Sequence, residues 1–254
     1  MAVPVYLFTG FLESGKTTLI SNTLLDEGFN DGEKTLLIRC EEGIEEYEER
    51  MLKQTRTTLV TVENEQDLCS DLLVEFDRRY EPDRVMIEFN GMWSVNQFLE
   101  MDMPLDWLLV QILTTIDAQT FTSYMSNMRS LMYDQIFASE VVIFNRCEPE
   151  MKKSFLRSNI KAINKSAQLI YEMSDGSIND LKDDELPFDV KADFIDLEDD
   201  DYGLWYMDAL ENPGKYKGKK IRFKGKVMRR PEDDEDIYVI GRLAMVCCAE
   251  DMQL

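Results

Sequence analysis

The sequence predicts an α/β fold in which a mostly parallel sheet is flanked by helices, followed by a small β-rich module. Short apolar runs that suit buried strands alternate with helical segments up to about residue 171. Such alternation is typical of parallel sheets covered on both faces. A glycine-rich phosphate-binding motif directly follows the first apolar run. Near residue 186 the pattern ends and the chain becomes acidic and irregular.

The phosphate-binding motif spans residues 10–17 and reads G-x-x-x-x-G-K-T. It lies between a strand candidate, residues 4–8, and a segment with helical spacing, residues 17–25, which is the order found in P-loop nucleotidases. The glycines allow a tight turn that points backbone N–H groups at phosphate oxygens. The sequence therefore predicts a P-loop NTPase domain. The residues of the loop predicted to bind the nucleotide are Gly10, Glu13, Ser14, Gly15, Lys16, Thr17 and Thr18.

Four positions carry the predicted phosphate chemistry, two in the loop and two after a later strand candidate. Lys16 is expected to reach the β- and γ-phosphates as a catalytic residue, and the Thr17 hydroxyl is expected to ligate Mg²⁺. The strand candidate at 84–88 ends in Glu88, and Gly91 follows it. A carboxylate here can hold the Mg²⁺ shell or polarise the attacking water, and the glycine can present its N–H to the γ-phosphate. We predict that Glu88 is catalytic and a magnesium ligand, and that Gly91 binds the nucleotide.

A glutamate-rich stretch follows the second strand candidate, residues 35–40. Six of the ten residues 41–50 are glutamates. One interpretation is a solvated, mobile loop. The other is a switch segment that places a carboxylate near Mg²⁺, and Glu41 at the strand end is the best placed. Both interpretations stand, with Glu41 as a candidate catalytic residue and magnesium ligand.

Residues 145–148, Asn-Arg-Cys-Glu, follow another strand candidate. Guanine-specific P-loop proteins carry Asn-Lys-x-Asp at this position, where the Asn meets the base edge and the acid accepts hydrogen bonds from the guanine. Arg146 keeps a long stem and a charge with a different head group, and Glu148 keeps the acceptor with one more methylene. We therefore predict that Asn145, Arg146 and Glu148 bind the base, with GTP preferred over ATP.

The sequence gives three helix predictions that the structure can test. Residues 66–79 read as one amphipathic helix, with Cys69 packed in the core beside its apolar stripe. Residues 119–135 read as a single helix with a methionine and aromatic stripe. A short helix is predicted to begin at residues 178–181.

Composition divides the chain into a P-loop domain (1–186), an acidic linker (187–201) and a β-rich module (202–254). Residues 217–227 and 237–248 read as two strands, as at the start of an OB-like barrel. Two strands cannot close such a barrel. We expect the module to be truncated or completed by a partner.

The charge and the cysteine content exclude several classes of function. The formal net charge is −22, from 50 acidic and 28 basic residues, which disfavours a nucleic acid or an anionic membrane as partner. No apolar run is long enough for membrane insertion, and no signal peptide precedes the loop. There is no histidine, so a protein-held metal must use thiolates, carboxylates or methionine sulfur. Five scattered cysteines predict reduced thiols in a cytoplasmic protein.

The P-loop region resembles the CobW-like branch of the SIMIBI GTPases, which are relatives of UreG and HypB, over residues 1–185. The resemblance implies a GTPase that uses GTP and Mg²⁺ and takes part in the handling of transition metals, chiefly zinc and cobalt. The family's Cys-x-Cys-Cys motif and its His-bearing C-terminal domain are absent from this sequence, and Glu13 replaces a common glycine. The segments that carry the resemblance are 9–18, 41–43, Glu88 with Gly91, 115–118, 145–148 and 164–167.

The C-terminal segment resembles the soluble domain of a bacterial membrane-protein family of unknown function that accompanies permeases. The likeness rests on residues 216–220 and 241–248. Met245, Cys247 and Cys248 are candidate ligands of a soft metal such as Zn²⁺. Because adjacent cysteines on a strand point to opposite faces, burial of one of them is the alternative interpretation.

Two functions follow from these observations. The first is a GTPase whose nucleotide cycle drives a protein client, either metal-dependent or permease-type. The second is a nucleotide-sensing adaptor that binds GTP or ATP without useful turnover, as the altered base motif and Glu13 would allow. Either function is compatible with an oligomer, and the sequence alone does not choose between them.

Overall fold

The computed structural model describes residues 2–30, 32–178, 186, 188–198, 201–228, 239–241, 244–245 and 252–253. Its contacts divide the chain into two compact units. The first consists of Met1–Pro149 and Ser166–Asn179, and the second of Glu150–Lys165 and Asp180–Leu254. Within the described part of the chain, no helix combines the length and the apolar character needed to cross a lipid bilayer.

Seven strands form the sheet of the first unit. They are β1 (Val3–Thr9), β2 (Thr35–Arg39), β3 (Thr57–Thr61), β4 (Arg84–Glu88), β5 (Trp107–Asp117), β6 (Val141–Cys147) and β7 (Gln168–Met173). Their order is β3-β2-β4-β1-β5-β6-β7, and every neighbouring pair is parallel. The predicted α/β fold with a parallel sheet is therefore confirmed.

Both faces of the sheet are covered, which is why its central strands read as continuous apolar runs. Val5 and Leu7 of β1 pack on one face, and Phe8 packs on the other together with Leu37 and Met86. The helices of this unit are α1 (Lys16–Leu25), α2 (Glu49–Gln54), α3 (Ser70–Tyr80), α4 (Val95–Leu99), α5 (Phe121–Asn127) and α6 (Arg129–Ala138).

The single helix predicted over residues 119–135 is wrong. The structure has α5 and α6 there, separated at Met128, whose backbone (φ −132, ψ 39) leaves the helical region. Neither proline nor glycine marks this break in the sequence. The break is consequently invisible to periodicity.

The prediction of a packed Cys69 is also wrong. A short 3₁₀ turn, Glu65–Asp67, precedes α3, and Cys69 caps that helix with extended backbone (φ −139, ψ 165). Its side chain is exposed. The apolar stripe itself is confirmed, since Leu73 and Phe76 are buried.

Among its described residues, the second unit contains α7 (Lys153–Ile163), α8 (Tyr202–Glu211), α9 (Pro213–Tyr216) and six short strands. β8 (Phe194–Asp196) pairs in parallel with β9 (Lys220–Arg222). β10 (Lys226–Met228) pairs antiparallel with β11 (Val239–Gly241), and β12 (Ala244–Met245) pairs antiparallel with β13 (Met252–Gln253). The OB-like character and the domain boundaries drawn from composition stay predictions.

Part of the segment predicted as an acidic linker is packed. Phe188, Ile195 and Leu197 form a small buried cluster with Tyr216. The apolar residues that alternate with acids between positions 188 and 198 explain this packing, because one side of the segment can be buried.

Two further predictions near these residues need correction. The strand predicted over 217–227 is interrupted, with β9 and β10 at its two ends. Ile178 forms a bridge with Glu172 instead of beginning a helix. The rest of that predicted helix lies outside the described residues.

Candidate nucleotide-binding site

The strand order brings the predicted site residues to one edge of the sheet. β1 lies between β4 and β5, and the phosphate-binding loop connects β1 to α1. Phe8 is level with Glu88 in β4, and Thr9 is level with Thr114 in β5. The carboxyl ends of parallel strands are the usual ligand-binding edge of such a sheet. The loop therefore lies where a phosphate site is expected.

Lys16 is folded back over the loop that it terminates. Its side chain is 3% exposed, and Nζ donates to the carbonyl oxygens of Gly10 at 2.7 Å and Phe11 at 3.0 Å. Nζ also forms an ion pair with Glu41 Oε2 at 2.6 Å. The carboxylate of Glu41 thus contacts the ammonium group that a triphosphate would need.

Glu88 sits beside the start of α1 and is 3% exposed. Its Oε1 accepts a hydrogen bond from the Thr17 hydroxyl at 2.7 Å, and its Oε2 accepts one from the Tyr47 hydroxyl at 2.8 Å. Burial raises the pKa of this carboxyl, and the two hydroxyl donors and Lys16 oppose that rise. A hydroxyl and a carboxylate in contact are the hard oxygen ligands that Mg²⁺ takes in phosphate sites. Thr17 and Glu88 therefore fit a magnesium ion.

Two glycines are required where backbones approach closely. Gly15 has a left-handed backbone (φ 96), and a Cβ there would overlap the Asn145 amide. At Gly91 a Cβ would overlap the carbonyl oxygen of Gly10 and the Cα of Phe11. Gly91 thus packs directly against the loop, and its role toward the γ-phosphate stays a prediction.

The predicted base motif splits between two sets of contacts. Asn145 Nδ2 donates to the carbonyl oxygen of Ser14, and Arg146 Nη1 donates to that of Glu13 at 2.9 Å. Glu148 is bonded instead to the hydroxyl of Ser174, at 2.5 Å. The structure therefore brings the first two residues of the motif to the phosphate-binding loop, and Glu148 to the end of β7.

Glu13 has a left-handed backbone (φ 62), as its place in a tight loop requires. Its carboxylate accepts a hydrogen bond from the backbone N–H of Ile44 at 3.0 Å. The Glu13 carboxylate, which we expected close to the phosphates, is thus hydrogen-bonded to the glutamate-rich segment. The residues that line the cleft at the loop are Leu12, Glu13, Gly15, Lys16, Thr17, Thr18, Glu41, Gly43, Glu45, Glu88 and Arg146.

Sequence reasoning missed several residues that support the site. Tyr47 binds Glu88, and Asp117 forms an ion pair with Arg146 at 2.6 Å. The Thr115 hydroxyl contacts that of Ser14 at 2.7 Å. Thr115 and Asp117 lie in a segment that carries the family resemblance, and for Tyr47 the available signal was an aromatic residue within an acidic run.

The predicted soft-metal site remains a prediction. Cys247 and Cys248 lie outside the described residues, and Met245 is described only as part of β12. In the part of the chain that the structure describes, no group of three or more acidic or cysteine side chains is arranged to hold a metal ion. Magnesium needs fewer protein ligands, because phosphates and water complete its shell.

Cys40 and Cys69 differ in their expected reactivity. Cys40 is buried, and burial together with Glu88 and Glu41 raises the pKa of its thiol, so the reactive thiolate is suppressed. We expect iodoacetamide at pH 8 to modify Cys69 in the folded protein and to spare Cys40, as measured by peptide mass spectrometry. Protein unfolded in urea is the control, in which both thiols should react. Equal modification rates in the folded protein would contradict the buried placement of Cys40.

These observations define the class of protein. A left-handed glycine before a buried lysine, and a threonine–glutamate contact at the carboxyl edge of a parallel sheet, are features of a P-loop nucleotide-binding protein. The model of the CobW/HypB/UreG family, nucleotide-binding domain, matches residues 4–171, and the chain belongs to this family of GTPases linked to metal handling. The model of the DUF1980 C-terminal domain matches residues 173–254.

Two solved structures of YjiA support the fold. The Zn(II)-bound YjiA GTPase from E. coli is 24% identical, with 70% of this chain and 60% of that chain covered and a TM-score of 0.52. A Zn(II)-bound triple mutant of YjiA is 22% identical, with 73% and 61% covered and a TM-score of 0.53. The hydrogenase maturation factor HypB from Archaeoglobus fulgidus is 14% identical, with 67% and 80% covered and a TM-score of 0.44. The chain thus spans about three fifths of the YjiA structures. A search of curated proteins found no match.

Proposed function

We propose that this chain binds GTP with Mg²⁺ and hydrolyses it, at a slow intrinsic rate, to assist metal handling or a membrane-transport client. The observation that carries the proposal is the contact between Thr17 and Glu88 beside Lys16. Lys16 supplies positive charge for the β- and γ-phosphates. Thr17 and Glu88 supply oxygen ligands for the Mg²⁺ that would bridge them.

Hydrolysis needs a group that orients or polarises water beside the γ-phosphate. Glu88 lies at the end of β4, next to the strand that leads into the loop, and Gly91 follows it against the loop backbone. This placement supports Glu88 as the residue that holds the Mg²⁺ shell or the water. Glu41 is the second candidate, because its carboxylate also reaches the site through Lys16.

The adaptor function has one observation in its favour. The Glu41 carboxylate is paired with the Lys16 ammonium group that the phosphates require. A bound nucleotide must therefore displace Glu41 from Lys16. A protein in which this displacement is the response to GTP could act without turnover. Under this alternative GTP would bind and phosphate release would be absent.

One pair of measurements tests the proposal. Thermal unfolding in the presence of GTP, GDP or ATP with Mg²⁺ reports binding, since a ligand raises the unfolding temperature according to its affinity. Phosphate release from the same preparations reports turnover. Stabilisation by GTP with phosphate release supports a GTPase. Stabilisation without release supports the adaptor, and no stabilisation by any nucleotide contradicts both.

The guanine preference is expected to be moderate and adjustable. Glu148 carries one methylene more than the aspartate of the common motif, and its carboxylate is bonded to Ser174. We expect Glu148→Asp to raise the ratio of GTP to ATP affinity by about tenfold, within the range for one well-placed hydrogen bond to a charged group. Isothermal titration with both nucleotides measures this ratio.

A matched control for this substitution is available two residues along the chain. Glu150→Asp shortens an exposed carboxylate by the same methylene, and it should leave the ratio unchanged. An unchanged or reversed ratio in Glu148→Asp would count against its role in base recognition.

The client and the metal are proposed from the family. YjiA has been solved with Zn(II), and the family is linked to metal handling. We propose a metal-dependent or permease-type protein as the client. For the chain itself we propose a cytoplasmic location. Zn²⁺ is proposed as a second ligand through Met245, Cys247 and Cys248, and an oligomer is proposed as the means by which a zinc site would gain further ligands.

A further inference from the structure

Tyr47 is a buried aromatic residue within an acidic segment. It is 7% exposed and packs with Phe8, Leu37 and Met86 on one face of the sheet. The glutamates on either side of it in the sequence are exposed. The ring therefore anchors residues 41–48, here called the acidic segment, to the core of the first unit.

The hydroxyl of Tyr47 is the part that reaches the site. It donates to Glu88 Oε2 at 2.8 Å, while Thr17 donates to Oε1 of the same carboxylate at 2.7 Å. One donor on each oxygen restricts rotation of the carboxylate plane. Because Glu88 is 3% exposed, these bonds are made where water competes little.

The acidic segment contacts the phosphate-binding loop at two points. Glu41 pairs with Lys16 at 2.6 Å, and the backbone N–H of Ile44 donates to the Glu13 carboxylate at 3.0 Å. The hydrogen bond from Tyr47 to Glu88 is a third contact between this segment and the site. Movement of the segment would therefore change the support of this carboxylate.

We propose that Tyr47 is a positioning residue whose hydroxyl orients the Glu88 carboxylate for Mg²⁺ and water. Tyr47 acts through Glu88 and has no contact with the nucleotide itself. Through this bond the acidic segment controls turnover at the site. The inference rests on the proposed GTPase function.

The test is Tyr47→Phe, which keeps the ring and its packing and removes only the hydroxyl. Tyr6→Phe is the matched control, because Tyr6 packs in the same cluster, with its ring edge-on to Phe29 at 5.5 Å. GTP hydrolysis is measured over a range of GTP and Mg²⁺ concentrations. For Tyr47→Phe we expect kcat to fall about tenfold, as for one lost bond to a charged group.

The pattern of the other parameters identifies a positioning role. In Tyr47→Phe the KM for GTP should stay within about twofold, because the lost bond serves the transition state. The Mg²⁺ concentration for half-maximal activity should rise several-fold. In Tyr6→Phe all three parameters should match the parent protein, and both variants should keep the parent unfolding temperature within a few degrees.

Two results would overturn the inference. One is parent-like kcat and Mg²⁺ dependence in Tyr47→Phe, and the other is an equal loss in Tyr6→Phe. A parent protein without GTP turnover would contradict the proposed hydrolysis instead. In that case GTP titration at a series of Mg²⁺ concentrations replaces kcat, and the Mg²⁺ concentration that gives half of the gain in GTP affinity must rise several-fold in Tyr47→Phe for the inference to stand.

Discussion

Lys16→Ala should raise the Kd for GTP at least about 100-fold, because charge-assisted hydrogen bonds from one ammonium contribute roughly 3 kcal/mol. Lys16 is the only basic residue among residues 10–17, so no other part of the loop replaces its charge. Removal of Lys16 also leaves the Glu41 carboxylate facing the phosphates without its partner. Repulsion between the Glu41 carboxylate and the phosphates should weaken GTP binding further. Isothermal titration with GTP and Mg²⁺ measures the change.

Lys53→Ala is the control for a general loss of positive charge. Lys53 pairs with Glu49 on an exposed helix surface, away from the loop residues. Such pairs contribute little to stability, and we expect parent-like GTP binding. If Lys16→Ala bound GTP within threefold of the parent, the phosphate site would have to lie elsewhere.

Glu88→Gln should lower kcat for GTP about 100-fold, in the range for loss of a group that orients the water or metal. At saturating Mg²⁺ the Kd for GTP should remain within about threefold, since Lys16 and the loop backbone still hold the phosphates. Single-turnover phosphate release and titration separate the two effects. Equal rates in the variant and the parent would move the catalytic role away from Glu88, and Glu41→Gln would then be the variant to measure.

The same substitution has an expected effect on stability. Burial raises the pKa of Glu88, so the folded protein binds this proton more tightly than the unfolded chain does. The parent therefore loses stability as the pH rises from the ordinary glutamate range through the raised pKa. The uncharged glutamine avoids this loss. We expect Glu88→Gln to unfold at a temperature no lower than the parent at neutral pH, as measured by calorimetry.

Much of the site was predictable because its chemistry is local. The loop residues expected to bind phosphates follow one another along the chain, and the strand before them and the helix after them are short-range patterns. Glu88 was identifiable because it ends an apolar strand at the right distance from the loop. The family resemblance rests on the same local segments and is confirmed by the family match.

Other features depend on contacts between distant parts of the chain. Tyr47 and Glu88 are 41 positions apart, and Arg146 reaches the carbonyl of Glu13 across 133 positions. Such contacts arise from the order of strands in the sheet, which a local pattern does not encode. The backbone geometry at Cys69 was not predictable from the sequence either. Cys69 is the N-cap residue of α3 and has an extended backbone, and its thiol, predicted to be in the core, is exposed.

The sequence by itself determined the class of the fold and the position of the P-loop motif, because glycine, lysine and hydroxyl residues at this spacing between a strand and a helix are typical of P-loop proteins. Only the tertiary structure decided what these residues touch. It paired Lys16 with Glu41 and joined Tyr47 to Glu88. The physical reason is that ion pairs and hydrogen bonds require approach within about 3 Å. That approach is set by packing of the sheet and its helices.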